Sequence, residues 1–366
     1  MSAHVSRKRS RAEDDGEGVP PAKRESEHHV KGTAGTGQTQ TTASDGGQVF
    51  KKDREFWFDD GTVIFVARDT EFRVYKGVLA SLSTVFKTLF ADRGHTVRNV
   101  SIDEEQTILC PIVRLLDSPQ DLRHLLRVCF FSKRLESLYE EKEPSYDEIS
   151  AGIRLGEKYK IAEWYSQSLV YLKSYFPRTM NRWTALESCD GPPGWEFGNG
   201  IGVISLARKT EQLSILPAAF LSCMFAESDS PATLGIGHGF TTEDGSRQYL
   251  SPGDLTTCFH AKTSIRVAIV TSVFRTFEPE PSTGCKTSST CKKVLREVLV
   301  GLGNNSELLL SCNPFSDYDS YFSGTTLAIC RACTTMVKAR SLKERQDVWN
   351  RLPELLGIDV PGWAEE

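Results

Sequence analysis

The side chains best placed to do chemistry in this chain are four cysteines. Cys285 and Cys291 are spaced by five residues in "CKTSSTC", and Cys330 and Cys333 by two in "CRAC". Four thiolates can hold one tetrahedral Zn²⁺ at about 2.3 Å each, and a two-residue spacer lets both sulfurs of a pair face the same ion. Bound that way, the quartet would tie together the two helices that follow the pairs. The first spacer, however, is longer than the roughly two to four residues usual for such sites. If "CRAC" lies on a helix, its thiols share a face simply as core residues, and free cysteine is among the most buried residue types. The sequence alone favours buried thiols, with a structural zinc as the alternative.

Other motifs carry less chemistry. "CRAC" lacks the strand-then-helix entry that lowers a thiol pKa in redox folds. "GIGHGF" (Gly235 to Phe240) lacks the Lys-Ser/Thr of a phosphate-cradling loop and reads as a plain loop. His238 and His260, with Cys258 or Asp254, have the residue types of a hydrolytic site, but nothing in their spacing brings them together. The expectation is a protein that is not an enzyme.

Length and composition set the frame. The chain has 366 residues, 39% hydrophobic and 10% aromatic, and a net charge of -4. That is enough for two folded units, with no overall attraction to nucleic acid or an anionic membrane. It contains no apolar run of the roughly 18 residues that would span a bilayer. Residues 1–49 have no Leu, Ile, Phe, Tyr or Trp, so they hold no signal-peptide core, and the expected location is the nucleus and/or the cytoplasm. In such a reducing compartment the ten cysteines are core thiols or metal ligands rather than disulfides.

Residues 1–52 read as a disordered tail, because polar, low-complexity sequence cannot offset the entropy of ordering. Two basic clusters lie in it: Arg7, Lys8, Arg9 and Arg11, then Lys23 and Arg24 after eleven intervening residues. That separation suits a bipartite nuclear-import signal, and a solvated charge run is the alternative.

From Phe56 the pattern changes. "DDG" (Asp59 to Gly61) is a turn signal, its aspartates suited to Asx hydrogen bonds. "TVIFV" (Thr62 to Val66) reads as a strand buried on both faces. Alternation through Phe72 and Val74 then predicts a half-buried second strand of a hairpin. Val78, Leu79, Leu82, Val85, Phe86, Leu89 and Phe90 recur at helical spacing and predict one helix with Leu79, Leu82, Phe86 and Leu89 in the core. "ADRGHTVRN" (from Ala91) and "KRLESLYEEKEP" (from Lys133) read as solvated loops. Between them, Ile112–Leu116 is expected as a strand, and Ser118, Pro119 and Asp121 mark a helix start. Ser145 and Glu148 form a capping box, opening a helical hairpin that turns at "KYKI" and stops before Pro177.

The order "FWFDDG", "FRVYKGVLASLSTVF", a strand with "DSPQDL", and "SYDEISAGIRLGEKYKIAEWYSQSLVYLKSYFP" resembles the BTB/POZ domain, in the form found in the large protein families of mushroom-forming fungi. The resemblance covers about residues 54–178, with Tyr75 where the family often has His. The ending "VWNRLPELLGIDVPGW" is similar to the C-termini of the same proteins. The resemblance implies an α+β fold, a small sheet flanked by helical hairpins, specialised for self-association and partner docking. On that basis the chain divides into a tail (1–52), a BTB/POZ domain (53–178) and a helical C-terminal domain (179–366).

The second half, from about residue 179, is expected to be all α. "GVISLARKTEQLSILPAAFLSCMF" reads as a helix broken at Pro217, "SIRVAIVTSVFRTF" and "CKKVLREVLVGLGN" as helices, and Ser341 with Glu344 as another capping box. The combined expectation is a non-enzymatic adaptor with protein partners. It is either a nuclear assembler of transcription regulators or a substrate receptor docking on a cullin, without direct nucleic-acid or membrane binding.

Overall fold

The computed structural model describes residues 50–363, apart from 93, 102–105, 133, 141, 187, 189–190, 197, 226–234, 304–314 and 316–328. The basic clusters Arg7, Lys8, Arg9, Arg11, Lys23 and Arg24 lie outside the described residues. Residues Val49–Glu366 form one compact unit. Its fold is α+β, a small sheet followed by many helices.

The sheet has five strands: β1 (Lys51–Trp57), β2 (Val63–Ala67), β3 (Thr70–Val74), β4 (Val97–Ser101) and β5 (Thr107–Leu115). Their order is β1-β3-β2-β5-β4, with β1/β3 and β2/β5 parallel and the other two pairs antiparallel. Val63, Phe65, Ala67, Phe72 and Val74 point to one face, where they meet α1 (Lys76–Leu82), α2 (Thr84–Ala91), α3 (Pro119–Phe131) and the hairpin α4 (Tyr146–Lys158)/α5 (Ala162–Tyr175). Ile64, Val66 and Cys110 form a smaller apolar cluster on the other face.

Several local expectations change. β3 is buried throughout rather than on one face. Its Glu71 takes a bidentate pair from Arg98 at 2.8 and 2.9 Å, and its Arg73 donates Nε to the Gly61 carbonyl at 3.0 Å. The paired Glu71 can be buried where a bare charge cannot, whereas the Nη2 of the buried Arg73 has no hydrogen-bond partner among the described residues. The Asp59–Asp60 turn is closed by Gly61 N–H donating to Phe58 O, and Asp60 accepts the Tyr75 hydroxyl rather than serving the backbone.

The single helix expected over Val78–Phe90 is two. Ser83 is extended, and its Oγ accepts the Phe86 N–H at 3.1 Å, so a cap interrupts an unbroken apolar stripe. Leu79 and Phe86 are buried, while Leu82 and Leu89 are half-buried. β1 begins two residues inside the expected tail, and β4 occupies the loop after Ala91. Tyr139, in the second expected loop, is buried, exchanging a 3.0 Å hydrogen bond with Ser168 and accepting the Trp164 indole N–H at 3.3 Å.

The capped starts of α3 and α4 form as expected, with Ser118 accepting from Asp121 N–H and Ser145 from Glu148 N–H. The hairpin turns through Lys160 in the left-handed region. Gly152 lets the two helices touch, since a Cβ there would lie 2.0 Å from Ser168 Oγ.

Beyond Phe176 come α6 (Met180–Thr184), α7 (Asn199–Lys209), a 3-10 turn (Leu213–Ile215), α8 (Leu216–Phe225), α9 (Gly235–His238), α10 (Pro252–Thr276), α11 (Ser288–Gly303), α12 (Arg331–Asn350) and α13 (Leu352–Leu356). Pro217 opens α8 rather than breaking a helix, because proline is tolerated in a first turn. Ser341 caps nothing and is buried inside α12. This region is not wholly α: β6 (Phe240–Thr241) and β7 (Arg247–Gln248) form a small hairpin. The hairpin's turn grips the sheet-bearing half, through Asp244 to Arg68 at 3.1 Å and Glu243 to His124 and Ser145 at 3.0 Å each.

A second core fills this half, built from Ile201, Ile204, Phe220, Ile265, Trp183 and Trp349 among others. It also takes in Tyr146, Ile149, Ile153, Leu172 and Phe176 of the α4/α5 hairpin and the residue after it. The hairpin therefore lines both cores.

Candidate metal centre

The four cysteines meet where α11 and α12 begin. α10 ends at Thr276, and the chain then turns at Ser282–Cys285, the Cys285 N–H donating to Ser282 O at 2.9 Å. Cys291 lies in the first turn of α11, its N–H bonded to Thr287 O at 2.9 Å. Cys330 is the residue preceding α12, and Cys333 lies in that helix's first turn. Arg340 of α12 holds the connecting segment in place, donating to the carbonyls of Glu278 and Glu280 at 3.0 and 3.2 Å. The long first spacer is thus absorbed by a turn followed by a helix start.

The four Sγ atoms all lie within 4.8 Å of one another. Sulfurs placed tetrahedrally at about 2.3 Å from one ion would be about 3.8 Å apart, so the quartet needs only small adjustments to close on a metal. The sulfurs of Cys330 and Cys285 are 3.5 Å apart. Cys291 and Cys333 are buried, whereas Cys285 and Cys330 are half-buried. The plain reading of four core thiols therefore fits only two of them.

The surroundings favour negative charge. Backbone N–H groups of Cys330 and Ser282 donate to the sulfurs of Cys291 and Cys333, at 3.3 and 3.4 Å. Two helix N-termini point their positive ends at the cluster. For Cys285, burial works upward, but hydrogen bonds from the Thr287 backbone and the other three cysteines outweigh it and draw the thiol down to about 6. Burial and the same neighbours push Cys333 up to about 12, against the Ser282 N–H. Cysteine ligates metal as the thiolate, so binding here would release protons. Zinc-type ligation fits this donor set, which is all sulfur and leaves no position for water.

The other candidates are not assembled. Asp254 and Cys258 face the core on successive turns of α10, while His260 is exposed. Asp254 is held by Arg208 at 2.7 and 2.9 Å and by the Ser251 hydroxyl at 2.7 Å, and burial raises the Cys258 thiol to about 12. His238 is exposed at the end of α9, its carbonyl accepting from Arg247 Nε at 2.7 Å. "GIGHGF" is a helical turn followed by Gly239 at φ 69°, where a Cβ would lie 2.0 Å from Gln248 O. That glycine lets the chain entering β6 pass close against the end of β7, whose connecting turn is Thr242–Ser246.

Sequence reading did not find the two N–H donors or the Arg340 clamp, since both depend on how α11 and α12 meet. No helix among the described residues is long and apolar enough to cross a membrane. Compared with protein-family models and with curated proteins, the chain finds no match.

Proposed function

We propose that this protein is a non-enzymatic adaptor, which self-associates and docks protein partners through a BTB/POZ-type module in its sheet-bearing half. The reading rests on one observation: from Lys51 to Tyr175 a small mixed sheet carries the helix pairs α1/α2 and α4/α5 on one face. That is the arrangement the sequence resemblance implies. Large apolar side chains exposed on this half add support, with Leu116 99%, Leu109 64% and Phe131 58% exposed. Apolar side chains are what protein interfaces draw on. The adaptor acts in the nucleus or the cytoplasm. Sedimentation velocity of the full chain at micromolar concentration tests the self-association, with a mass above monomer expected. A monomer at every concentration would refute it.

In the same reading, Cys285, Cys291, Cys330 and Cys333 hold one structural Zn²⁺ that braces the helical half. A four-thiolate site has no open coordination position, so the ion holds structure and does no chemistry. Metal analysis of protein purified without chelator is expected to give about one zinc per chain and none in Cys333→Ser. Metal-free protein from zinc-replete cells would return the quartet to ordinary thiols.

A further inference from the structure

We propose that the cavity at the junction of α5 and α6 binds a small phosphate-bearing anion; this is independent of the adaptor reading. The cavity measures about 450 Å³, and Lys173, Arg178, Arg182, Thr179 and Ser214 line it together with Phe176 and Pro177. All five polar side chains offer donors, and no carboxylate lines it among the described residues. Neither Lys173 nor Arg182 has a carboxylate partner among the described residues. Thr179 precedes α6 without its side chain capping that helix.

Part of the wall is tied into the fold. Arg178 donates Nη2 to the Gly362 carbonyl, and its own carbonyl accepts the Trp349 indole N–H at 2.7 Å. Phe176 and Pro177 are buried beneath.

Lys173 in the last turn of α5 has an ordinary explanation, since a cation there complements the helix dipole. Arg182, in the last turn of α6, has the same explanation, and Arg178 serves the Gly362 carbonyl; neither accounts for three cations lining one cavity with no carboxylate among the described residues. Guanidinium forks match phosphate oxygens in pairs, and an ammonium adds a point charge. The volume is many times that of one water, about 30 Å³, and is ample for a diphosphate group.

Isothermal titration of the full chain with inorganic pyrophosphate, at ionic strength fixed with sodium chloride, tests this. One saturable site per chain is expected. Arg182→Glu and Lys173→Glu are each expected to weaken it at least tenfold, whereas Lys87→Glu, an exposed cation on α2, leaves it unchanged. Far-UV circular dichroism checks that each variant is folded, and Arg182→Ala replaces the charge reversal if it is not. No saturable binding, unchanged affinity in both pocket variants, or equal weakening by Lys87→Glu would each overturn the proposal.

Discussion

The sheet-bearing half and the far end of the helical half are held together by different means. Around the sheet, buried rings interlock: Phe86 stacks on Tyr159 at 4.4 Å and on Phe65 at 5.5 Å between ring centroids. α11 has much less. Among its described side chains only Cys291 and Leu295 are buried, and Val300 is 70% exposed. Where apolar burial is thin, the cysteine cluster at its start is the main tie to α12. One region is held by buried area; if the proposed zinc binds, the other is held by sulfur, and the two should fail under different perturbations.

The largest expected effect is in the sheet-bearing half. Phe86→Ala removes a ring that sits between strand and hairpin, and should cost about 3–5 kcal/mol. A urea midpoint equal to the parent's would break the contrast. In the helical half, Cys333→Ser or chelation should act locally. Hydrogen exchange is expected to lose protection over residues 285–300, while β2 and β5 keep theirs. Uniform loss through the sheet would mean that the sulfur cluster supports the whole unit.

Gly152→Ala tests the area side again, by forcing apart helices that touch. It should cost about 1–3 kcal/mol, as overpacking does, read from thermal melts. The smallest pair sharpens the comparison, because the same cap starts a helix in each half. Ser118→Ala and Ser251→Ala should each cost about 1 kcal/mol, with Ser251 the larger because its hydroxyl also donates to Asp254 at 2.7 Å. Equal midpoints for the two variants would show that the Asp254 network adds nothing.

What the sequence made legible follows from the same contrast. Central strands and long helices announce themselves through apolar spacing, so β2 and the α4/α5 hairpin were readable. Edge strands were not. β1 carries Lys51, Lys52, Arg54 and Glu55, and β4 is mostly exposed; with little to bury, neither leaves a pattern. "SPQD" at Ser118 and "SPGD" at Ser251 are the same device, each followed at once by a leucine, so the start of α10 is as legible as that of α3. Ser341 shows the converse, a cap signature inside a helix whose residue is buried by packing. For the cysteines, each pair was visible, but their meeting depends on the Arg340 clamp and on two helix starts far apart in the chain.

The α4/α5 hairpin has one more consequence, for anyone who would treat the two halves as separable modules. Cut after Pro177, the sheet-bearing piece would carry away Tyr146, Ile149, Ile153, Leu172 and Phe176, all buried in the intact chain. These side chains would become a bare greasy wall. The fragment would bind hydrophobic dyes and stick to itself through a surface that the whole protein never displays. Any clustering it showed would report the cut rather than the biology, and the hairpin is better regarded as a party wall than as a boundary.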